Sequence, residues 1–186
     1  GFTIQNATKA GILLGITSGV KINNNVIQGC TRYGIIGGEA TNGHIGSNLI
    51  QDCQIGVYLD RGSGATIEKN TIDGMELTAI VLTGGGGLDV QNTLIVDNVL
   101  TNNGESGINI ALAAEGTTIT RNTISGNFDG IRIWECLVGD IAASTTHINQ
   151  NNIAGNENYG VLNEIATLVD ATNNWWGTTV AENISA

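Results

Sequence analysis

A few residues have the types and spacing to act on a ligand. Lys69, Asp97 and Arg121 share one phase of a recurring pattern, in three consecutive repeats. Arg132 and Trp134 sit two residues apart, and Tyr58 shares the phase of Arg132. A base beside a carboxylate-bearing sugar, with a cation to acidify the proton next to that carboxylate, is what a lyase needs. Lys69, Asp97, Arg121 and Arg132 are the candidate catalytic residues on those grounds. The plainer reading of Lys69, Asp97 and Arg121 is a surface ion-pair ladder. Catalysis would need a second carboxylate, and Asp73 and Glu68 only approximate one. Trp134 and Tyr58 are the candidate sugar-binding residues, because a flat ring suits the apolar face of a sugar. His44 and His147 share a phase but lie four repeats apart, about 19 Å at the usual strand spacing, so they form no dyad. No Ser-His-Asp, Cys-His or paired-carboxylate motif is evident.

What positions these side chains is a repeat. Ile-x-x-Asn-x-Ile recurs, followed after about seven residues by Gly-Ile. It begins at Ile22, Asn25, Ile27 and Gly34-Ile35, and ends at Ile148, Asn151, Ile153 and Gly160-Val161. Between them run Asn48, Asn70, Asn98 and Asn122 with their flanking isoleucines, Leu100 standing in for one of them after Asn98. Alternating Ile gives short strands with one buried face, and a single unit cannot bury that face alone. Stacked units can, each about 4.8 Å above the last. Three apolar ladders then imply three sheets around a dry interior. Ile22 heads one ladder, Ile27 a second and Ile35 a third. The ladder asparagines should bond to one another and to turn backbone, and Asn tolerates the left-handed conformation of a bend.

A second inward row lies five residues on: Cys30, Cys53, Met75, Asn103, Asn127 and Asn156. Cys30 and Cys53 are stacked neighbours, expected as buried free thiols because strand spacing is slightly long for a disulfide. Cys136 has no evident partner.

This pattern, closing on Asn173-Asn174-Trp175-Trp176-Gly177, resembles the parallel β-helix repeat of the pectate-lyase-like superfamily. The resemblance covers essentially the whole chain. It implies an all-β, right-handed, single-stranded parallel β-helix of about seven coils, with residues 1–186 forming one domain and 168–186 its C-terminal coil or cap. The enzymes of that superfamily place an Asp cluster for calcium and an Arg base on one sheet, or use His and Asp motifs. This sequence departs from those patterns, which puts catalysis in doubt.

The outward positions of the Gly-Ile strands form a row: Leu13, Ile36, Tyr58, Val81, Asn109, Arg132 and Leu162. Its first four members are apolar, so Leu13, Ile36, Tyr58 and Val81 are the candidate assembly face. Two insertions, Gly84 to Gln91 and Glu135 to Thr146, follow the same strand, as do Glu39, Arg61, Glu115 and Glu164. Calcium would suit such carboxylates. No dense Asp-x-Asp-x-Asp spacing is present, so no cofactor is expected. The chain opens mid-coil at Phe2, which predicts an uncapped first coil completed by a neighbouring domain or a second copy. Trp175 and Trp176 should cover the other end.

Composition sets the outer limits. Seven Lys and Arg against 17 Asp and Glu give a net charge of −10. That balance argues against nucleic acid and anionic membrane as partners. No apolar run of 18 residues occurs, so no membrane insertion is expected. Pro is absent, as stacked strands that need every backbone N–H require. The leading expectation is a secreted or cell-surface scaffold without enzymatic activity: adhesive, filament-forming or glycan-binding. Its partners would be other copies or a polysaccharide. The alternative is a carbohydrate-active enzyme, a lyase, epimerase or hydrolase. Asn6-Ala7-Thr8 and Asn183-Ile184-Ser185 match glycosylation sequons.

Overall fold

Each apolar triplet of the repeat buries its central Ile and turns its neighbours outward. In the computed structural model those triplets are strands, and like strands pair in parallel from coil to coil. Residues 1–84, 90–111, 114–134, 146–165 and 168–177 are described. Expectations for Gly85 to Asp89, Cys136, Asp140, the 183–185 sequon and the Glu115 side chain fall outside what is described.

Three parallel sheets form the walls of a β-helix. The first has seven short strands, from Thr3–Gln5 through Val26–Gln28, Leu49–Gln51, Thr71–Asp73, Val99–Thr101 and Thr123–Ser125 to Asn152–Ile153. The second also has seven strands, of which six are longer, Ala10–Leu14, Tyr33–Gly38, Ile55–Asp60, Thr78–Thr83, Ser106–Ala111 and Asp129–Trp134, and the last, Val161–Asn163, is short. The third has six, from Lys21–Asn23 and His44–Gly46 through Thr66–Glu68, Leu94–Val96 and Thr118–Thr120 to His147–Asn149. Val90–Gln91 and Ala114–Glu115 pair beside them. Among the described residues, no helix is long and apolar enough to cross a membrane.

The three apolar ladders run in register. Ile22 pairs with Ile45 and Ile45 with Ile67; Ile27 pairs with Ile50; Ile35 pairs with Val57 and Val57 with Ile80. Ile27, Ile35, Ile50, Ile67 and Ile80 are fully buried. Each such side chain contributes about 1.5–3 kcal/mol through burial, which makes the ladders the main support of the fold. Glycine takes the second position of five of the six longer strands, with Ala79 in the sixth, because the next coil leaves little room. A Cβ on Gly34 would lie 2.6 Å from Ile50 Cγ2 and 2.7 Å from the Gly56 carbonyl oxygen.

The asparagine ladder continues along the coils. Asn48 Nδ2 donates to Asn70 Oδ1 at 2.9 Å, Asn70 to Asn98 at 3.0 Å and Asn98 to Asn122 at 2.9 Å. Asn174 extends it, accepting from Asn151 Nδ2 at 3.0 Å. The bend differs from expectation in one respect. The left-handed residue precedes the ladder asparagine: Asn24, Ser47, Lys69, Asp97, Arg121, Gln150 and Asn173 all have φ between 53° and 61°. That turn aims the next N–H along the stack, so that Asn70 N donates to Asn98 Oδ1 at 2.9 Å.

A second, shorter ladder links Asn103, Asn127 and Asn156, at 2.7 and 3.0 Å. Cys30 and Cys53 sit below it as buried free thiols. At the C-terminal end only one tryptophan packs inward. The Trp176 ring is 3.1 Å from the Cβ position of Gly160, while Trp175 is half exposed.

Candidate functional site

Strand length separates the sheets. A three-residue strand spans about 10 Å, whereas the six-residue strands of the second sheet span about 20 Å. Five of these strands, with Ala10–Leu14 at one end and Val161–Asn163 at the other, make a face about 29 Å along the helix axis. This long-strand sheet is wide enough to hold an extended ligand, and it carries Tyr58, Arg132 and Trp134.

At its C-terminal half, Trp134 is fixed from two directions. Its Nε1–H donates to Asn109 Oδ1 at 2.8 Å, one coil below. The Arg132 guanidinium carbon lies 5.5 Å from the indole centre. Arg132 in turn donates from Nε to Glu164 Oε2 at 2.7 Å. That hydrogen bond and charge hold the Arg132 pKa above its ordinary value, and Asp129 and Glu105 add to the pull. Arg132 and Glu164 are 37% and 39% exposed, so both retain contact with solvent.

Three coils toward the N-terminus, about 14 Å away at strand spacing, Tyr58 and Tyr33 pack with centroids 5.3 Å apart at 52°. The Arg32 guanidinium lies 5.3 Å over the Tyr33 ring. Burial raises the Tyr58 pKa, and Asp60 raises it further. Tyr58 is therefore a neutral phenol at pH 7, suited to hydrogen bonding and not to base catalysis. Beside it, Arg61 is held by Asp60 at 3.0 Å and by Glu39 at 3.4 Å. The apolar row is in register here: Leu13 with Ile36, Ile36 with Tyr58, Tyr58 with Val81. Leu13 is exposed and the other three are half-buried.

The other charged candidates lie elsewhere. Arg121 forms a two-pronged contact with Asp97, at 2.8 and 3.1 Å. Both occupy left-handed turn positions between the third and first sheets. Lys69 Nζ is 3.9 Å from Glu68 Oε1, and the same oxygen is 3.1 Å from His44 Nε2. Asp73 accepts from Thr101 Oγ1 at 2.7 Å and Asn102 Nδ2 at 2.8 Å. Lys69, Asp97 and Arg121 thus share one corner, and Arg132 sits on a different sheet. His44 and His147 are four strands apart in register, and His147 faces Asp170 at 3.6 Å. Among the described residues, no group of three His, Cys, Asp or Glu side chains is placed to hold a metal ion.

With this geometry in hand, comparison with known proteins places the fold. The family described as right-handed β-helix region matches residues 1–136. The chain belongs to that right-handed β-helix family. Solved structures of the periplasmic alginate epimerase AlgG share its architecture. A double mutant of that enzyme gives a TM-score of 0.82 at 19% identity, covering 94% of this chain and 44% of the other. The unmutated enzyme gives 0.78 at 19%, covering 94% and 43%. The chain therefore spans less than half the length of those proteins. At this identity the likeness is one of fold. No curated protein matches.

Within this β-helix, sequence reasoning found Arg132, Trp134 and Tyr58 but missed their partners. Asn109 was legible as the member of the outward row just below Arg132. Glu164 stood among the edge carboxylates, with nothing in its spacing to tie it to Arg132. Tyr33 lies in register with Ile55 and Thr78, and it was missed because Gly34 intervenes before the Ile ladder.

Proposed function

We propose that this chain is an extracytoplasmic polysaccharide-binding β-helix that holds a glycan along the outer face of its long-strand sheet. The observation that carries this reading is Trp134, whose ring is fixed by Asn109 and Arg132 before any ligand arrives. A ring immobilised in advance loses little entropy on binding. Around it, Asn109, Arg132 and Glu164 offer planar donors and acceptors for vicinal hydroxyls. Tyr58 and Tyr33 supply a second aromatic platform further along the same face. The likeness to a periplasmic enzyme supports a location outside the cytoplasm.

Calorimetric titration against a panel of soluble polysaccharides tests the reading. Trp134→Ala should weaken binding at least tenfold, about 1.4 kcal/mol. Trp175→Ala, beside the first sheet, should leave it unchanged. Failure of every polysaccharide to bind, or wild-type affinity in Trp134→Ala, would overturn it.

A second reading, an enzyme acting on polysaccharide, is favoured by the fold shared with AlgG. Its test is incubation with alginate, followed by absorbance for unsaturated uronates and NMR for epimer content. Turnover that Arg132→Ala abolishes would establish it.

A further inference from the structure

The arginines of this face already hold carboxylates. Arg132 is bonded to Glu164 at 2.7 Å, and Arg61 to Asp60 at 3.0 Å and Glu39 at 3.4 Å. A uronate reaching Arg132 would therefore meet a guanidinium whose Nε–H is occupied. To form an ion pair it would have to displace Glu164 and leave that charge beside its own. Asp129 and Glu105 also pull electrostatically on the same guanidinium, adding to the negative field beside Glu164. The chain as a whole carries −10, which adds a longer-range repulsion toward polyanions.

An uncharged sugar meets none of these costs. Arg132 has four N–H groups beyond Nε to offer hydroxyls, and Glu164 keeps a second oxygen as an acceptor. Discrimination built from a repulsive element against the wrong ligand needs no extra contact to the right one. Resting on the glycan-binding reading above, we propose that Glu164 is a specificity-determining residue that makes this face select uncharged polysaccharides over polyuronates.

The test uses chains that differ only in charge: alginate with its propylene glycol ester, and polygalacturonate with its methyl ester. Affinities are measured calorimetrically at low and at physiological ionic strength. Wild-type protein should bind the esters at least tenfold more tightly than the free acids, and added salt should narrow that gap. Glu164→Gln replaces the carboxylate with an amide of the same shape and removes the charge, so the ester-to-acid affinity ratio should fall about tenfold. Glu68→Gln, on the third sheet, should leave the ratio as in wild type. Thermal melting monitored by circular dichroism verifies that both variants are folded. The proposal is overturned if wild type binds the free acids as tightly as the esters, or if Glu164→Gln leaves the ratio unchanged. Equal binding of both forms sinks this proposal alone. No binding of either form sinks the glycan reading, and this proposal with it.

Discussion

Asn98 stands in the middle of the asparagine ladder, and replacing it with Ala should be among the most destabilising single changes in the chain. Its Nδ2 donates to the Ile67 carbonyl at 2.9 Å, the Val96 carbonyl at 3.0 Å and Asn122 Oδ1 at 2.9 Å. Its Oδ1 accepts from Asn70 N at 2.9 Å and Asn70 Nδ2 at 3.0 Å. The side chain is 1% exposed, so water does not replace these partners readily. Stranding the Asn70 N–H alone costs about 1–3 kcal/mol, and each further bond lost contributes about 0.5–1.5 kcal/mol net. The bonds share atoms and are not additive, so the expected loss is about 3–5 kcal/mol. Asn25, at the end of the ladder, donates from Nδ2 to Asn48 and accepts from Phe2 N, and Asn25→Ala should cost about 1–2 kcal/mol. Urea unfolding followed by far-ultraviolet circular dichroism measures both, and the slope of the transition reports whether the coils still unfold together. Equal losses at the two positions, or a loss below about 1 kcal/mol at Asn98, would refute the view that a continuous buried ladder holds the corners.

Other expectations follow from single sites. Gly126 has φ +68°, and a Cβ there would meet Asn102 Oδ1 at 2.7 Å, so Gly126→Ala should cost about 1–2 kcal/mol. Asn102→Gly in the same chain should recover the steric part but not the backbone part, which a double-mutant cycle in urea separates. Burial pushes the Cys53 thiol up to about 12. Iodoacetamide at pH 8 should leave Cys53 unmodified in the folded protein and label it in denaturant, read by peptide mass spectrometry; labelling within minutes without denaturant would contradict the buried position. Hydrogen bonds from the Thr101 hydroxyl, and then from Asn102 and Gln51, lower the Asp73 pKa. A depressed folded-state value means that Asp73 stabilises the protein above the ordinary Asp pKa of about 3.9, and that this is lost as pH falls through the folded value. Asp73→Ala should therefore be less stable than wild type at pH 7, with the difference shrinking at pH 3 in urea titrations.

The fold was legible because its determinants are local and repeat. Ile22, Ile45 and Ile67 each occupy the same phase, so one pattern read several times fixes both register and burial. The ladder asparagines were legible for the same reason. Their bends were misplaced by one residue because Lys69 and Arg121 have no intrinsic preference for φ > 0, and only the requirements of the neighbouring coils put them there. The site was legible in part. Tyr58, Arg132 and Trp134 follow from alternation along the strand, whereas the Arg132–Glu164 and Tyr33–Tyr58 contacts depend on where side chains reach across coils. Repeat phase carries no information about rotamers, so spacing alone could not join them. The same limit explains Lys69, which has the phase of Asp97 yet approaches Glu68.

Strand length then decides which surface can hold a ligand. Every coil spends its short strands and their asparagine corners on closing the helix, and the residues flanking those corners are drawn into contacts such as Arg121 with Asp97. The long strands close nothing further, so their outward residues can be chosen for a ligand. They carry both aromatic platforms, and among the described residues Arg61 and Arg132 beside them are each paired with an acid. Solubility alone would be served by acids at any outward position. On our proposal Glu164, bonded to the Arg132 whose guanidinium lies over the indole that Asn109 fixes, gives the negative charge a role in selection: it fills the position a sugar carboxylate would seek, and leaves donors and acceptors for hydroxyl groups.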